Sequence, residues 1–193
     1  REVVTTFIGD DLMDYSMNKR VNKRRGNHDG FMAPHNVYPC QGEDSWISIA
    51  VSNDEEWRSL CETMGNPPWT KDSKFADGYN RWKNQEELDP LIGEWTKNYP
   101  ADYLMHLLQK ASVAAVPSFS NQDLFNDPHV RARDYFQQVK PPKMEKRYTL
   151  GPPWKLSATP AQISRPAPTF GEHEEYVFGQ LLSLSPEEIE RLR

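Results

Sequence analysis

The sequence has few cysteines and no long apolar run. Its two cysteines, Cys40 and Cys61, are too few for a disulfide framework or a zinc site, so we interpret both as reduced, buried thiols. No stretch approaches the roughly 18 consecutive apolar residues of a membrane helix. No signal peptide is recognisable at the amino terminus. We therefore expect a soluble, cytoplasmic protein that has no membrane partner.

The motifs of several enzyme classes are also missing. The five histidines are scattered, without the H-x-x-x-H or paired-carboxylate spacing of a metal site. No G-x-S-x-G elbow, P-loop or G-x-G-x-x-G fingerprint occurs. The net charge of −5 gives no basic footprint for nucleic acid, since the one basic run, Lys19 to Arg25, is local. The residues alone therefore predict no catalytic residue, no metal ligand and no nucleic-acid partner.

Aromatic residues and proline are, by contrast, abundant. Six Trp, eight Tyr and eight Phe argue against disorder, because each ring buries a large area. Sixteen prolines predict many short segments and few long helices. The 193 residues are enough for one domain or for two small ones.

The first half of the chain has the spacing of helices around a hairpin. Apolar residues on one face predict a helix from Arg1 to Tyr15, and a chain that opens there without Met is expected to be a processed piece or a fragment. Strands are predicted at 37–40 and 45–51, followed by a capping box from Ser52 to Glu55. The helix after it carries Trp57, Leu60, Cys61 and Met64 at helical spacing.

The second half alternates helices with extended segments. Pro90 predicts either a kink or a new helix capped by Asp89 within residues 84–99. Further helices are predicted at 104–111, 127–136, 172–182 and from Ser185, and strands at 113–116, 148–150 and 154–156. Between 139 and 168 the prolines predict a chain that runs extended along a surface.

A polar loop precedes the hairpin. Residues 25–35 are punctuated by two glycines, which take positive φ without penalty. Held at one end by a stiff hairpin, such a loop is suited to act as a binding flap, although an ordinary surface connection has the same composition. Its candidate binding residues are Gly26, Asn27, His28, Asp29, Gly30 and Phe31.

Short motifs run in a fixed order through nearly all of the chain from about residue 20. They are Arg25-Gly26-Asn27, Ala33-Pro34-His35, Tyr38-Pro39-Cys40, the helix with Trp57 and Leu60, Val113 to Pro117, Asp127-Pro128-His129 with Arg131 and Arg133, Gly151 to Trp154, Ser157 to Pro160, and Pro168 to His173. In this order they resemble the C-terminal half of the family III CoA-transferases, also called the CaiB/BaiF family.

The resemblance implies an α/β fold. In that family the chain leaves a large Rossmann-like domain, builds a small domain and returns. We therefore expect an α+β small domain with a short antiparallel sheet and several helices, and a returning segment that packs on a large domain absent from this chain. On this plan residues 1–24 are the connecting helix, 25–140 the small domain, and 141–193 the extended linker and returning helical segment.

The resemblance also implies the transfer of CoA from an acyl-CoA to a free carboxylic acid. In the family an aspartate attacks the thioester, giving a mixed anhydride and then an enzyme-bound CoA thioester. The coenzyme A thioester is a substrate, and no metal or redox cofactor is used. The aspartate belongs to the N-terminal half, so no residue here matches it and we expect this chain alone to be inactive. The implied partners are the N-terminal large domain or a partner subunit, in a homo- or hetero-oligomer.

The loop is the part of the family's site that this chain retains. In some members a glycine-rich loop at this place closes over the acyl group and shields it from water. Residues 26–31 have far fewer glycines, which favours side chains that select the acid. We hypothesise that His28, Asp29 and Phe31 shape the acyl or acceptor pocket.

Two other interpretations remain open from the sequence. One is a non-catalytic subunit or binding module that steadies a partner carrying the aspartate. The other is the racemase branch of the same family, which epimerises 2-methylacyl-CoA thioesters. An aspartate-bearing half upstream in the same gene would distinguish the transferase from the subunit.

Overall fold

A computed structural model of the protein describes residues 2–141 and 145–192. The chain divides into two compact units, one ending at Ser118 and the other beginning at Phe119. The helices of the first unit are α1 (Glu2–Thr5), α2 (Gly9–Asn18), α3 (Asp54–Thr63), α4 (Gly78–Lys83), α5 (Gln85–Thr96) and α6 (Ala101–Lys110), with 3-10 turns at Thr6–Ile8, Pro68–Lys71 and Ser73–Phe75. Its strands are β1 (His35–Pro39), β2 (Trp46–Ala50) and β3 (Ala114–Pro117).

The three strands form one antiparallel sheet in the order β1-β2-β3. β1 and β2 are the predicted hairpin, with His35 opposite Ala50. The turn between them includes Gly42 at φ 118°, a backbone conformation that favours glycine. β3 pairs with the free edge of β2, so that a strand predicted from its apolar residues becomes the third member of the sheet.

The sheet shares its core with α3, α5 and α6. The helical spacing predicted for these segments is confirmed by their burial. The buried apolar side chains are Ile47 and Ile49 from β2, Trp57, Leu60 and Cys61 from α3, Leu88 and Ile92 from α5, and Leu104 and Leu108 from α6. Both cysteines are free and buried, as predicted, and burial raises the pKa of each thiol to about 11.

α5 runs without interruption through Pro90, so no second helix starts there. The side chain of Asp89 is not used as a helix cap. Instead it accepts hydrogen bonds from β1 and from the loop before it, as described below.

The cap of α3 is Asn53, and the predicted cap at Ser52 is wrong. The Asn53 side-chain oxygen accepts from the backbone N–H groups of Glu55 at 3.0 Å and Glu56 at 2.9 Å. Glu56 in turn accepts from the Ser52 backbone N–H at 2.7 Å. The capping pattern is therefore present but begins one residue later, because two adjacent polar residues were both suitable caps.

Replacing Asn53 with alanine is expected to lower the free energy of unfolding by about 1 kcal/mol, because two N–H groups of the first turn lose their acceptor. Urea unfolding followed by circular dichroism measures this loss. Ser52→Ala is the matched comparison and is expected to cost only about 0.5 kcal/mol, because the Ser52 hydroxyl bonds the exposed side chains of Glu56 and Asn53 but caps no backbone N–H. If Ser52→Ala lowers the free energy of unfolding by as much as Asn53→Ala or more, Ser52 and not Asn53 is the cap of α3.

The predicted first helix is broken in two. α1 and α2 are separated by a 3-10 turn, and α2 ends at Asn18, followed by Lys19 as the C-cap with a φ of 57°. Arg1, with which the helix was predicted to begin, lies outside the described residues. The apolar residues of this segment, including Val3, Phe7 and Met17, are exposed in this chain.

The second unit contains α7 (Asn121–Asn126), α8 (Pro128–Ala132), β4 (Phe136–Val139), β5 (Arg147–Leu150), a π-helix (Glu175–Leu181) and α9 (Pro186–Leu192). β4 and β5 pair as a two-stranded antiparallel sheet. The Arg131 guanidinium lies 4.0 Å from the centroid of the Phe125 ring, which also packs on Phe136 and Tyr148. This cation–π cluster connects the helical and strand segments of the unit.

Three predictions for this unit need correction or confirmation. The helix after Asp127 ends at Ala132, because Asp134 takes a φ of 52° and Phe136 begins a strand. Residues 154–156 form no strand. The capping box at Ser185 is confirmed, since the Glu188 backbone N–H donates to the serine hydroxyl and the serine N–H donates to the Glu188 carboxylate. In the described part of the chain, no helix is long and apolar enough to cross a bilayer.

Candidate functional site

The loop before β1 is anchored where it enters the sheet. Arg81 of α4 is only 1% exposed, and its Nε donates to the Ala33 carbonyl at 3.0 Å. Its Nη1 donates to the Phe75 carbonyl at 3.4 Å, and its Nη2 contacts Asp54 Oδ1 at 2.7 Å. The guanidinium carbon lies 5.0 Å from the Trp57 ring centroid. One buried cation therefore joins the end of the loop to α3 and α4.

A second anchor holds the middle of the loop to α5. His28 Nε2 lies 2.7 Å from Asp89 Oδ2. The same oxygen accepts from Asn36 Nδ2 at 2.7 Å, and Asp89 Oδ1 accepts from the Tyr38 hydroxyl at 2.6 Å. The Tyr38 pKa is raised by burial and by this carboxylate. Asp89 therefore ties the loop and two residues of β1 to one helix.

Asp29 shapes the loop from within. Its Oδ1 accepts from the backbone N–H groups of Phe31 at 2.7 Å and Met32 at 2.9 Å. These two hydrogen bonds lower the Asp29 pKa, so the side chain is a carboxylate held in a turn. The indole N–H of Trp82 donates to the Asp29 carbonyl at 3.3 Å. Asp29 thus sets the conformation that presents Phe31, which is 91% exposed.

A groove of about 660 Å³ lies beside this loop. Its lining combines loop residues with all three strands and one residue of α6. The lining residues are Gly26, Asn27, His28, Asp29, His35, Asn36, Val37, Ser48, Ile49, Ala50, Gln109, Ala114, Ala115 and Val116. The aliphatic side chains supply an apolar floor, and the loop supplies the polar edge. A groove of this composition is suited to a small acyl group or acid.

The structure places the six predicted loop residues in different roles. Gly26, Asn27, His28 and Asp29 line the groove. Gly26 has a φ of 64°, the conformation expected of a glycine that turns the chain. Asn27 contributes its carbonyl to His35 Nδ1 at 2.7 Å. Gly30 and Phe31 instead lie along a neighbouring surface with Trp82 and the acidic residues of α2.

Asp89 and Arg81 were not among the predicted site residues. Asp89 is 61 positions from His28, and no local pattern in the sequence connects the two. Within residues 2–141 and 145–192, no group of three or more His, Cys, Asp or Glu side chains lies close enough together to hold a metal ion.

Comparison with known proteins places the chain in a family. The model of CoA-transferase family III matches residues 1–174. The chain belongs to CoA-transferase family III. This confirms the resemblance drawn from the ordered motifs.

Curated relatives of this family III chain are CoA-transferases. The succinyl-CoA–D-citramalate CoA-transferase of Chloroflexus aurantiacus is 30% identical over 100% of this chain and 48% of its own length. The succinyl-CoA:mesaconate CoA-transferase of Haloarcula marismortui is 30% identical over 84% of this chain and 40% of its own length. The succinyl-CoA–L-malate CoA-transferase beta subunit of Chloroflexus aurantiacus is 27% identical over 93% of this chain and 44% of its own. The family III chain spans about half the length of these relatives.

Solved structures give the same family and the predicted fold. A CAIB/BAIF family protein from Brucella suis superposes with a TM-score of 0.77 and 26% identity, covering 90% of this chain and 44% of that one. The mixture of helices and small antiparallel sheets predicted for the family III chain is confirmed.

Proposed function

We propose that the protein is an acyl-CoA:carboxylate CoA-transferase and that this chain is its C-terminal part. The observation that carries the proposal is 30% identity along the whole chain to a succinyl-CoA–D-citramalate CoA-transferase. The family match over residues 1–174 supports it. Residues 1–24 are then the connecting segment, 25–140 the small domain and 141–193 the segment that returns to the large domain.

The proposed donor is succinyl-CoA and the proposed acceptor is a dicarboxylic acid. Relatives are named for succinyl-CoA together with D-citramalate, mesaconate or L-malate. All three acceptors carry two carboxylates on a four-carbon backbone, to which D-citramalate and mesaconate add a methyl group. A dicarboxylate is therefore the acid class that the relatives have in common.

The proposed reaction proceeds through an aspartate in the part of the enzyme that this chain does not span. The aspartate carboxylate attacks the succinyl-CoA thioester, giving an aspartyl–succinyl anhydride and CoA thiolate. The thiolate then attacks the aspartyl carbonyl, forming the enzyme thioester and releasing succinate. The acceptor carboxylate then attacks the enzyme thioester, giving an aspartyl–acyl anhydride and CoA thiolate. The thiolate attacks the acyl carbonyl of this anhydride, which restores the aspartate and releases the new acyl-CoA.

In this reaction the loop at residues 26–31 keeps water from the reactive acyl groups. An anhydride is hydrolysed by any water that reaches it, so a transferase needs a cover over the reacting carbonyl. The anchors on Arg81 and Asp89 support a loop whose position is set in advance. Preset geometry lowers the entropic cost of covering the substrate.

The primary test is performed on the complete protein purified from its source. Succinyl-CoA is mixed with D-citramalate, mesaconate and L-malate in turn, and new CoA thioesters are measured by mass spectrometry. Peptide mapping then looks for a CoA adduct on an aspartate outside this chain, and native mass spectrometry gives the partners and copy number. Activity with a dicarboxylate and such an adduct are expected. No transfer to any carboxylic acid would overturn the proposal.

Alanine at His28, Asp29 and Phe31 together is expected to raise the ratio of succinyl-CoA hydrolysis to CoA transfer by about tenfold or more, since the cover is lost. The ratio is measured from free CoA and product thioester in one assay. The matched control replaces Asp102, Tyr103 and His106 with alanine, because these are the same kinds of residue on the exposed face of α6. An unchanged rate, ratio and acid preference in the loop variant would exclude a role for these residues.

A non-catalytic subunit is a second proposal, favoured by one relative whose name identifies it as a beta subunit. It predicts that a separate polypeptide carries the labelled aspartate. A single longer polypeptide that contains both this chain and the aspartate would exclude it.

A further inference from the structure

The contact between His28 and Asp89 fixes the state of the histidine ring. Asp89 Oδ2 is a carboxylate acceptor at 2.7 Å from Nε2, so Nε2 carries a proton and donates it. Asn36 Nδ2 donates to the same oxygen, and Tyr38 donates to the other. Three donors therefore hold one carboxylate, and the carboxylate in turn fixes the orientation of the ring.

With Nε2 used in this way, the other ring nitrogen is the one left for a ligand. In the part of the chain that the structure describes, no hydrogen bond engages His28 Nδ1, and His28 lines the groove beside the sheet. A ring with a proton on Nε2 accepts at Nδ1, and after taking a second proton it donates there. Nδ1 is therefore able to make a charge-assisted hydrogen bond to an anion.

The rest of the groove offers few donors for such an anion. Its lining contains no lysine and no arginine. The Asn36 amide donates to Asp89, the Gln109 amide donates to the Ala115 carbonyl, and His35 Nδ1 contacts the Asn27 carbonyl. His35 also has one ring nitrogen left, but a neutral carbonyl holds its ring. The ring of His28 is held by the Asp89 carboxylate, which would balance a positive charge, so His28 is the lining residue better suited to carry such a charge to a ligand.

We propose that His28 binds a carboxylate of the acid substrate and that Asp89 is the positioning residue that holds it. The proposal rests on the proposed function for the identity of the acid. Nδ1 donates a hydrogen bond to the substrate carboxylate that does not react with CoA, while Nε2 keeps its hydrogen bond to Asp89. The acyl chain then lies over the apolar floor made by Val37, Ala50, Ala114 and Val116, which share the open face of the sheet.

The experiment compares two acids that differ by one carboxylate. D-citramalate and 2-hydroxy-2-methylbutanoate are offered to the complete enzyme with succinyl-CoA, and their binding is also measured by calorimetry. His28→Ala is expected to raise the KM and Kd of D-citramalate by about tenfold to a hundredfold, because a hydrogen bond between charged groups is lost. The values for the monocarboxylate are expected to change less than about twofold, because it lacks the second carboxylate.

Asp89 is tested through its coupling to His28. Asp89→Asn is expected to raise the KM for D-citramalate when His28 is present. In the His28→Ala variant it is expected to have no further effect on this KM, because Asp89 acts only by holding the His28 ring. Asp89→Glu, which keeps the charge but moves it by one methylene group, replaces Asn if that variant does not fold. The controls His106→Ala and Asp102→Asn lie on α6 away from the groove. Additive losses in the double variant would overturn the positioning role.

The outcomes separate this proposal from the proposed function. Binding of D-citramalate that depends on His28, without CoA transfer, would overturn the transferase and support the carboxylate site. Normal transfer with unchanged KM and Kd in His28→Ala would support the transferase and overturn the site. An equal fall in kcat for both acids, with no change in either KM, would assign His28 a structural role and also overturn it. Absence of both binding and transfer overturns both.

Discussion

Replacing Arg81 with alanine is expected to lower the free energy of unfolding by about 3 to 5 kcal/mol. The side chain is 1% exposed, so its removal leaves a cavity against Trp57. It also leaves the carbonyls of Ala33 and Phe75 without their donor, and both of these residues are buried. The ion pair contributes less than these two effects, because the Asp54 side chain is 60% exposed and solvent screens it.

Guanidinium chloride unfolding monitored by tryptophan fluorescence measures this loss. Lys83→Ala on the same helix is the control, since Lys83 is exposed, and it is expected to change stability by less than about 0.5 kcal/mol. Arg81→Met keeps most of the side-chain volume but removes the hydrogen bonds. It therefore distinguishes the stability lost to the cavity from the stability lost with the hydrogen bonds. A loss below about 1 kcal/mol in Arg81→Ala would show that the loop entrance does not depend on this residue.

Arg81 also shows where prediction from the sequence stops. An arginine in a short polar helix is usually solvated, and nothing within several residues of it indicates burial. Its acceptors lie 48 and 6 positions away in the chain, and its carboxylate partner lies 27 away. Only the folded arrangement of the loop, α3 and α4 brings these groups together.

The elements set by local pattern were predicted well. The hairpin and α3 follow from alternation and helical spacing, and both are present. The errors in predicting caps and strands occurred where the local sequence was compatible with two conformations. Asn53 replaced Ser52 as the cap, and Phe136 entered a strand because β5 supplied a partner. Residues 154–156 have strand-like composition but no partner strand, so they remain irregular.

The loop was identified from the sequence, but its anchors were not. The glycine and polar residues of positions 26–31 predict a loop because they permit turns and expose polar groups. The same residues do not reveal that α5 holds the loop in place. That information lies in Asp89, whose position before Pro90 suggested only a helix cap.

Replacing Asp89 with alanine is therefore expected to affect both stability and the loop. Three side chains lose their acceptor, and one of them, Tyr38, is 2% exposed, so its hydroxyl cannot turn to bulk water. The expected loss in free energy of unfolding is about 2 to 4 kcal/mol, discounted for the partial exposure of His28. Asp102→Ala on α6 is the exposed control.

The loop itself provides the second measurement. Amide hydrogen exchange is measured by mass spectrometry on peptides covering residues 26–34. In Asp89→Ala the exchange rate of these peptides is expected to rise about tenfold or more, because the loop can open locally without first breaking a contact to α5. Peptides from α6 are expected to change only with the global stability. If exchange in the loop rises only as much as the loss in global stability requires, Asp89 stabilises the fold without holding the loop. A selective change would mean that one carboxylate holds the loop in its position beside the groove.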